Sequence, residues 1–167
     1  MQKTSENPII TIRKASKSDI PLLLDFIMGI ADFEGLTDHV IATEENLEQS
    51  LFGDRPYVEA VIAEVLSESA GFLIFFHNFS SFVGKPGMFI EDIYVRPEFR
   101  GKGVGRALMV YCANVAKERN CGRLDWNVLD WNPARNFYEK LGAQSQDGWL
   151  LYRLDEKGIK QLAKKEI

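Results

Sequence analysis

The chain is poor in the residues that ligate metals or staple small folds. It carries two cysteines, Cys112 and Cys121, and two histidines, His39 and His77, in 167 residues. Two cysteines make no disulfide framework, and no Cys/His group has zinc-site spacing, so no metal is expected. A basic excess is also missing. Twenty Lys and Arg stand against 24 Asp and Glu, a net charge of −4, where a nucleic-acid binder shows the opposite balance. No apolar run approaches the roughly 20 residues that cross a bilayer, and the N-terminal MQKTSENPIITIRK lacks the apolar stretch of a secretory signal. These absences lead us to expect a protein of the reducing cytoplasm, with neither nucleic acid nor membrane as partner.

What is present is an ordinary globular composition, 46% hydrophobic and 26% charged, in a length that suits one domain. Residues 1–8 are polar and read as disordered, with a single domain over 9–167. Alternating residues predict a strand over Ile9–Ala15. Ser18, Asp19 and Pro21 open a helix whose apolar face is Leu22, Leu23, Phe26, Ile27 and Ile30. The acidic stretch ADFEGLTDHV reads as a loop, and Thr43 opens a second helix that stops near Gly53. Strands over Tyr57–Leu66, Ala70–Ser80 and Met88–Val95 form a meander turning at Ser67–Ser69 and Phe82–Gly87. From Gly103 the spacing of Val104, Ala107, Leu108, Tyr111 and Val115 is helical, up to Cys121–Gly122. A strand (Arg123–Leu129), a helix from Pro133 through Leu141 closed by Gly142, a last strand (Trp149–Leu154) and a helical or frayed tail complete the chain. The order β–α–α–β–β–β–α–β–α–β describes a mixed-sheet α/β domain.

One stretch, FIEDIYVRPEFRGKGVG (Phe89–Gly105), concentrates the chemistry. Arg100-Gly101-Lys102-Gly103-Val104-Gly105-Arg106 joins a strand to a helix. Glycines let a backbone approach a ligand closely, and the unpaired N–H groups of a helix start suit an anion such as a pyrophosphate. The Gly-Lys-Ser/Thr ending of a nucleotide P-loop is absent, and a dinucleotide fingerprint would need glycine in place of Arg106. Upstream, Glu91 and Asp92 sit in the strand itself. Strict alternation would put them on opposite faces, and each buried carboxylate needs a partner or a wet cavity.

These residues resemble a known family. RGKGVG is similar to the Q/R-x-x-G-x-G/A signature of the GNAT acetyltransferase superfamily. WNPARNFYEKLGA (Trp131–Ala143) resembles its second signature, with one residue fewer between Asn132 and Tyr138. Phe33-Glu34, the Val40–Leu47 segment, Glu91–Val95 and Asp147-Gly148-Trp149 are most similar to the diamine (spermidine/spermine) and thialysine acetyltransferases.

The resemblance implies the GNAT acyl-CoA N-acyltransferase fold, a mostly antiparallel sheet flanked by helices. It implies acetyl-CoA as cosubstrate without a metal, a small cationic amine as acceptor, direct sequential transfer and a homodimer. It assigns the phosphates to the loop residues Arg100–Arg106, further CoA contacts to Asn132 and Arg135, and the pantetheine arm to the backbone of Ile93, Tyr94 and Val95. Glu91 becomes the base acting through water and Tyr138 the acid for the leaving thiolate. Phe33, Glu34, Glu91, Asp92, Asp147 and Trp149 line the acceptor's path. The residues alone add Asp38 from the same acidic stretch. A protein-lysine or N-terminal acetyltransferase and a non-catalytic acetyl-CoA-binding module stay open.

Overall fold

The computed structural model describes residues 9–165, so the polar segment at residues 1–8 lies outside the described residues. The chain divides into two compact units, Met1–Asn127 and Val128–Ile167. The first holds a five-stranded sheet in the order β1-β2-β3-β4-β5. Strands β1 (Ile10–Lys14), β2 (Glu59–Val65), β3 (Glu68–Ser80) and β4 (Lys85–Val95) run antiparallel, and β5 (Leu124–Trp126) joins β4 in parallel. The mixed, mostly antiparallel sheet expected from the sequence is therefore present.

Strand alternation sorts the core. Ala60, Ile62, Phe72 and Ile74 face helices α1 (Ile20–Glu34) and α2 (Glu44–Phe52), and pack with Leu23, Phe26 and Leu51. The alternate residues Val61, Ala63 and Leu73 are equally buried. Their cover is α3 (Val104–Glu118), which packs across β1 to β4 and buries Val104, Leu108, Met109, Cys112 and Ala116. The helical period was legible, but its buried centre is one residue out of phase with the predicted stripe. Ala107, Tyr111 and Val115 are only half-buried.

Helix α1 outlasts its predicted end. Its inward face continues to the buried Ala31, and Gly35, with φ +70°, stops it in the left-handed conformation that favours glycine. Phe33 and Glu34 thus lie on a helical turn rather than a loop. Farther back on α1, Gly29 is a packing requirement. A β-carbon there would stand 2.6 Å from both Cζ and Oη of Tyr94, whose ring packs against Phe26 at 6.0 Å. Gly29→Ala is expected to destabilise the protein by about 1–3 kcal/mol, measured by urea unfolding, with Tyr94 displaced.

The second unit contains α4 (Ala134–Lys140) and α5 (Glu156–Leu162). The predicted last strand is not there. Residues 149–154 have no regular structure, and Trp149 and Tyr152 are 81% and 88% exposed. Aromatic and branched residues favour a strand only where a neighbouring strand and a buried face receive them, and no described strand pairs with this segment. The strand predicted over Arg123–Leu129 is likewise cut to three residues, because its partner pairing spans only Met88–Ile90.

Candidate active site

The register of β3 on β4 places the two acids. Ile74 pairs with Asp92, but Phe75 pairs with Ile90, so Glu91 is an extra residue with no partner opposite. This bulge overturns the simple alternation expected for the pair. Ile90, opposite Phe75, and Ile93, opposite Leu73, share one face, which regular pleating forbids for residues three apart. Asp92 falls on the face of Ile74 and Phe72, toward α1. Glu91 is exposed at the bulge.

Glu91 and Asp92 are electrostatically coupled. Burial, then the charge of Glu91, then that of Glu34, push the Asp92 carboxyl up from 3.8 to about 6. Burial also raises Glu34. Three acids from the end of α1 and the bulge of β4 therefore act on one place. Asp38 is exposed on the short turn Thr37–His39 that follows α1.

The bulge also re-aims the backbone. Before it, the Met88 N–H reaches across to the Arg123 carbonyl at 3.0 Å. After it, the Arg96 N–H bonds the Ala70 carbonyl at 2.9 Å. Antiparallel alternation then turns the main-chain groups of Asp92 and Tyr94 toward β3, and those of Ile93 and Val95 outward. Pairing with β5 stops at Ile90, so that outward edge has no strand partner among the described residues. Of the three residues expected to hold a pantetheine arm, Ile93 and Val95 turn their backbone outward, the Val95 carbonyl being taken by the Arg100 side chain, whereas the Tyr94 backbone is turned to β3.

The glycine loop follows a short turn, Pro97–Phe99. Gly101 (φ +74°) and Gly103 (φ +88°) are both left-handed, a conformation that a side chain makes costly. This geometry turns the chain abruptly into α3. The N–H groups of Val104, Gly105 and Arg106 occupy its first turn, where no intrahelical acceptor exists. Arg106 and Lys102 are exposed beside them, with the Lys102 ammonium 5.3 Å over the Phe99 ring. Arg100 turns its side chain back to β4, its Nε donating to the Val95 carbonyl at 2.9 Å.

In the second unit Asn132 serves the backbone. Its Oδ1 accepts from the Ala134 N–H at 2.9 Å and so starts α4 directly after Pro133. That local role accompanies the shortened spacing noted in the sequence. Arg135 donates to the Asp130 carbonyl at 2.8 Å, within the same turn. Tyr138 is half-buried on α4, its ring 5.2 Å from that of Phe137. Asp147 and Trp149 are both exposed, and Asp147 accepts from the Ser145 hydroxyl at 3.3 Å. Sequence reasoning missed the bulge and the elevated Asp92. The available signal was the odd spacing of the apolar Ile90 and Ile93 around two acids.

A surface hollow of about 600 Å³ near the start of α1 is lined by Lys17, Glu44, Glu45 and Glu48, with Lys17 paired to Glu48 at 3.1 Å. It is a solvated ionic groove, remote in sequence from these residues. Among the described residues no His/Cys/Asp/Glu group is arranged to hold a metal, and no helix is long and apolar enough to cross a membrane.

Comparison with known proteins agrees with this geometry. The acetyltransferase (GNAT) family model matches residues 27–143. Thialysine N-epsilon-acetyltransferase of Bos taurus is 34% identical over 93% of this chain and 98% of its own. L-ornithine N5-acetyltransferase NATA1 of Arabidopsis thaliana is 32% identical over 93% of this chain and 89% of its own. Among solved structures, the integron cassette protein VCH_CASS6 from the mobile metagenome of V. cholerae superposes with a TM-score of 0.76, at 29% identity, over 93% of this chain and 98% of that one. The bulged strand, the left-handed glycine turn and the match across most of the sequence converge, and the chain belongs to the acetyltransferase (GNAT) family, as an N-acetyltransferase.

Proposed function

We propose that the protein transfers acetyl from acetyl-CoA directly to a primary amine of a small cationic acceptor, a di- or polyamine or a thialysine-, ornithine- or lysine-like amino acid. The observation that carries this reading is the convergence of Asp92, Glu91 and Glu34, where burial first, and then the charges of Glu91 and Glu34, hold the Asp92 carboxyl at about 6. Such a place is costly when empty of cations and favourable for an ammonium. The named relatives act on thialysine and ornithine, both amino acids with a second amine, which supports the same class.

The chain fits acetyl-CoA. The left-handed glycines and the first turn of α3 offer unpaired N–H donors and nearby cations for phosphates, and Ile93 and Val95 offer an outward strand edge for a pantetheine arm. When bound, acetyl-CoA supplies an activated acyl carbon and a thiolate leaving group. The chain's own residues do the rest. Asp92 and Glu34 receive the acceptor's ammonium. An alkylamine titrates near 10.4 by analogy with lysine, so it must lose a proton before it attacks. Glu91, exposed at the bulge, takes that proton through water. An outward N–H at Ile93 or Val95 polarises the acyl carbonyl, and Tyr138 donates its phenolic proton to the departing sulfur. The resemblance further implies a homodimer, which sedimentation equilibrium tests.

The deciding experiment follows thiol release from acetyl-CoA across diamines, spermidine, thialysine, ornithine, lysine and lysine peptides. Release is expected with the small dicationic amines, with intersecting double-reciprocal lines. Release with peptides alone would move the reading to a protein acetyltransferase, and release with no amine would leave a binding module.

A further inference from the structure

Arg100 opens the glycine loop, and the family pattern assigns it to the cofactor's phosphates together with Lys102 and Arg106. Its side chain turns elsewhere. While Nε holds the Val95 carbonyl at 2.9 Å, the guanidinium lies 5.3 Å from the ring centre of Phe33 and 5.7 Å from that of Tyr94. These partners belong to two different parts of the site. Val95 and Tyr94 end β4, whereas Phe33 stands in the last turn of α1, immediately before Glu34. Arginine suits the position because one planar group stacks on rings and donates a directed hydrogen bond at the same time.

That last turn has little apolar anchorage of its own. The buried residues of α1 are Ile20, Leu23, Phe26 and Ala31, so nothing after Ala31 is buried. One turn and more upstream, Arg96 does a parallel job. It pairs with Asp25 at 2.8 Å and lies 5.1 Å over the Phe26 ring. Two arginines leaving β4 thus grip α1 at its middle and at its end.

We propose that Arg100 is a positioning residue for the acceptor: its side chain fixes the last turn of α1, and with it Phe33 and Glu34, against the end of β4. The inference rests on the reading of Glu34 and Asp92 as acceptor ligands. It makes a residue of the cofactor loop govern the amine side of the reaction, and it leaves the phosphates to the backbone of residues 101–106, Lys102 and Arg106.

A donor lacking phosphates separates the two roles. Arg100→Ala and Arg100→Lys are compared with the parent protein using acetyl-CoA and acetyl-pantetheine. Arg100→Ala is expected to raise the acceptor KM about 5–10-fold with either donor, while the preference for acetyl-CoA over acetyl-pantetheine stays within about 2-fold of the parent value. Arg100→Lys, which keeps a cation over the rings, recovers part of the acceptor KM. Amide hydrogen exchange over residues 31–36 is expected to accelerate about 10-fold in Arg100→Ala, with the melting temperature held. Loss of the donor preference, whatever happens to the acceptor KM, overturns the proposal and makes Arg100 a phosphate ligand. Unchanged exchange over 31–36 overturns it too. If the parent protein acetylates no amine, the functional reading fails on that result, while the exchange comparison separately decides whether Arg100 anchors α1.

Discussion

Replacing Asp92 by asparagine is expected to stabilise the protein at pH 8 and disable it. The Asp92 carboxyl stands at about 6 against an ordinary 3.8, so the folded state prefers it neutral. A carboxyl raised on folding contributes nothing unfavourable below the unfolded value, and an increasing penalty as pH climbs from there through the folded one. Above pH 6 that penalty is fully present, on the order of 2–3 kcal/mol. Asparagine cannot ionise and escapes it. Urea unfolding of the parent and Asp92→Asn proteins should give a gap of about 2 kcal/mol in favour of the variant at pH 8, closing by pH 4. Activity moves the other way. Without a charge to meet the ammonium, kcat/KM for the amine should fall about 10²-fold, most of it in KM. Glu91→Gln is the contrasting variant: a water-relayed base acts on kcat and leaves the acceptor KM nearly unchanged. Equal stability of Asp92→Asn and parent at pH 8 would show that burial and the neighbouring acids do not raise the Asp92 carboxyl as described.

Tyr138→Phe should lower kcat by about 10²–10³-fold while leaving the KM for acetyl-CoA within about 3-fold. The ring stays, so packing against Phe137 at 5.2 Å is kept, and stability should change little. The assignment has a pH signature. A phenol titrates near 10 and an alkyl thiol near 8.5, so below pH 8 the departing sulfur gains most from a donor placed beside it. Above pH 8.5 the free thiolate is an adequate leaving group. The ratio of parent to variant kcat is therefore expected to shrink as pH rises through 8 to 9.5. A ratio that stays constant across this range assigns Tyr138 to structure, and full activity of the variant removes it from the mechanism.

The element types were largely legible, for reasons that particular residues show. Val104, Leu108 and their neighbours carry a helical period, and Glu59–Val65 carries β-branched residues with turns on either side. The glycine loop was legible because Gly101 and Gly103 satisfy a local conformational demand that no distant contact sets. Boundaries were less so. Phe33 and Glu34 read as loop because they stand in an acidic stretch, whereas their helix is held by the buried Ala31 and stopped only at Gly35. The strand expected at 149–154 failed because strand propensity needs a partner, and no described strand supplies one.

Thus the amino-acid order by itself determined the local chemistry: which residues turn, which repeat with a helical period, and which acids, cations and glycines stand near one another along the chain. Only the tertiary structure decided what these groups do to one another. The register of β3 on β4 inserts Glu91 as a bulge, and that single extra residue turns Ile93 and Val95 outward and Asp92 toward α1. Glu34 reaches Asp92 electrostatically across 58 residues of sequence, and Arg100 leaves its own loop to grip Phe33. Burial and the nearness of charges are properties of packed space. A one-residue change in register alters them while every local preference stays the same.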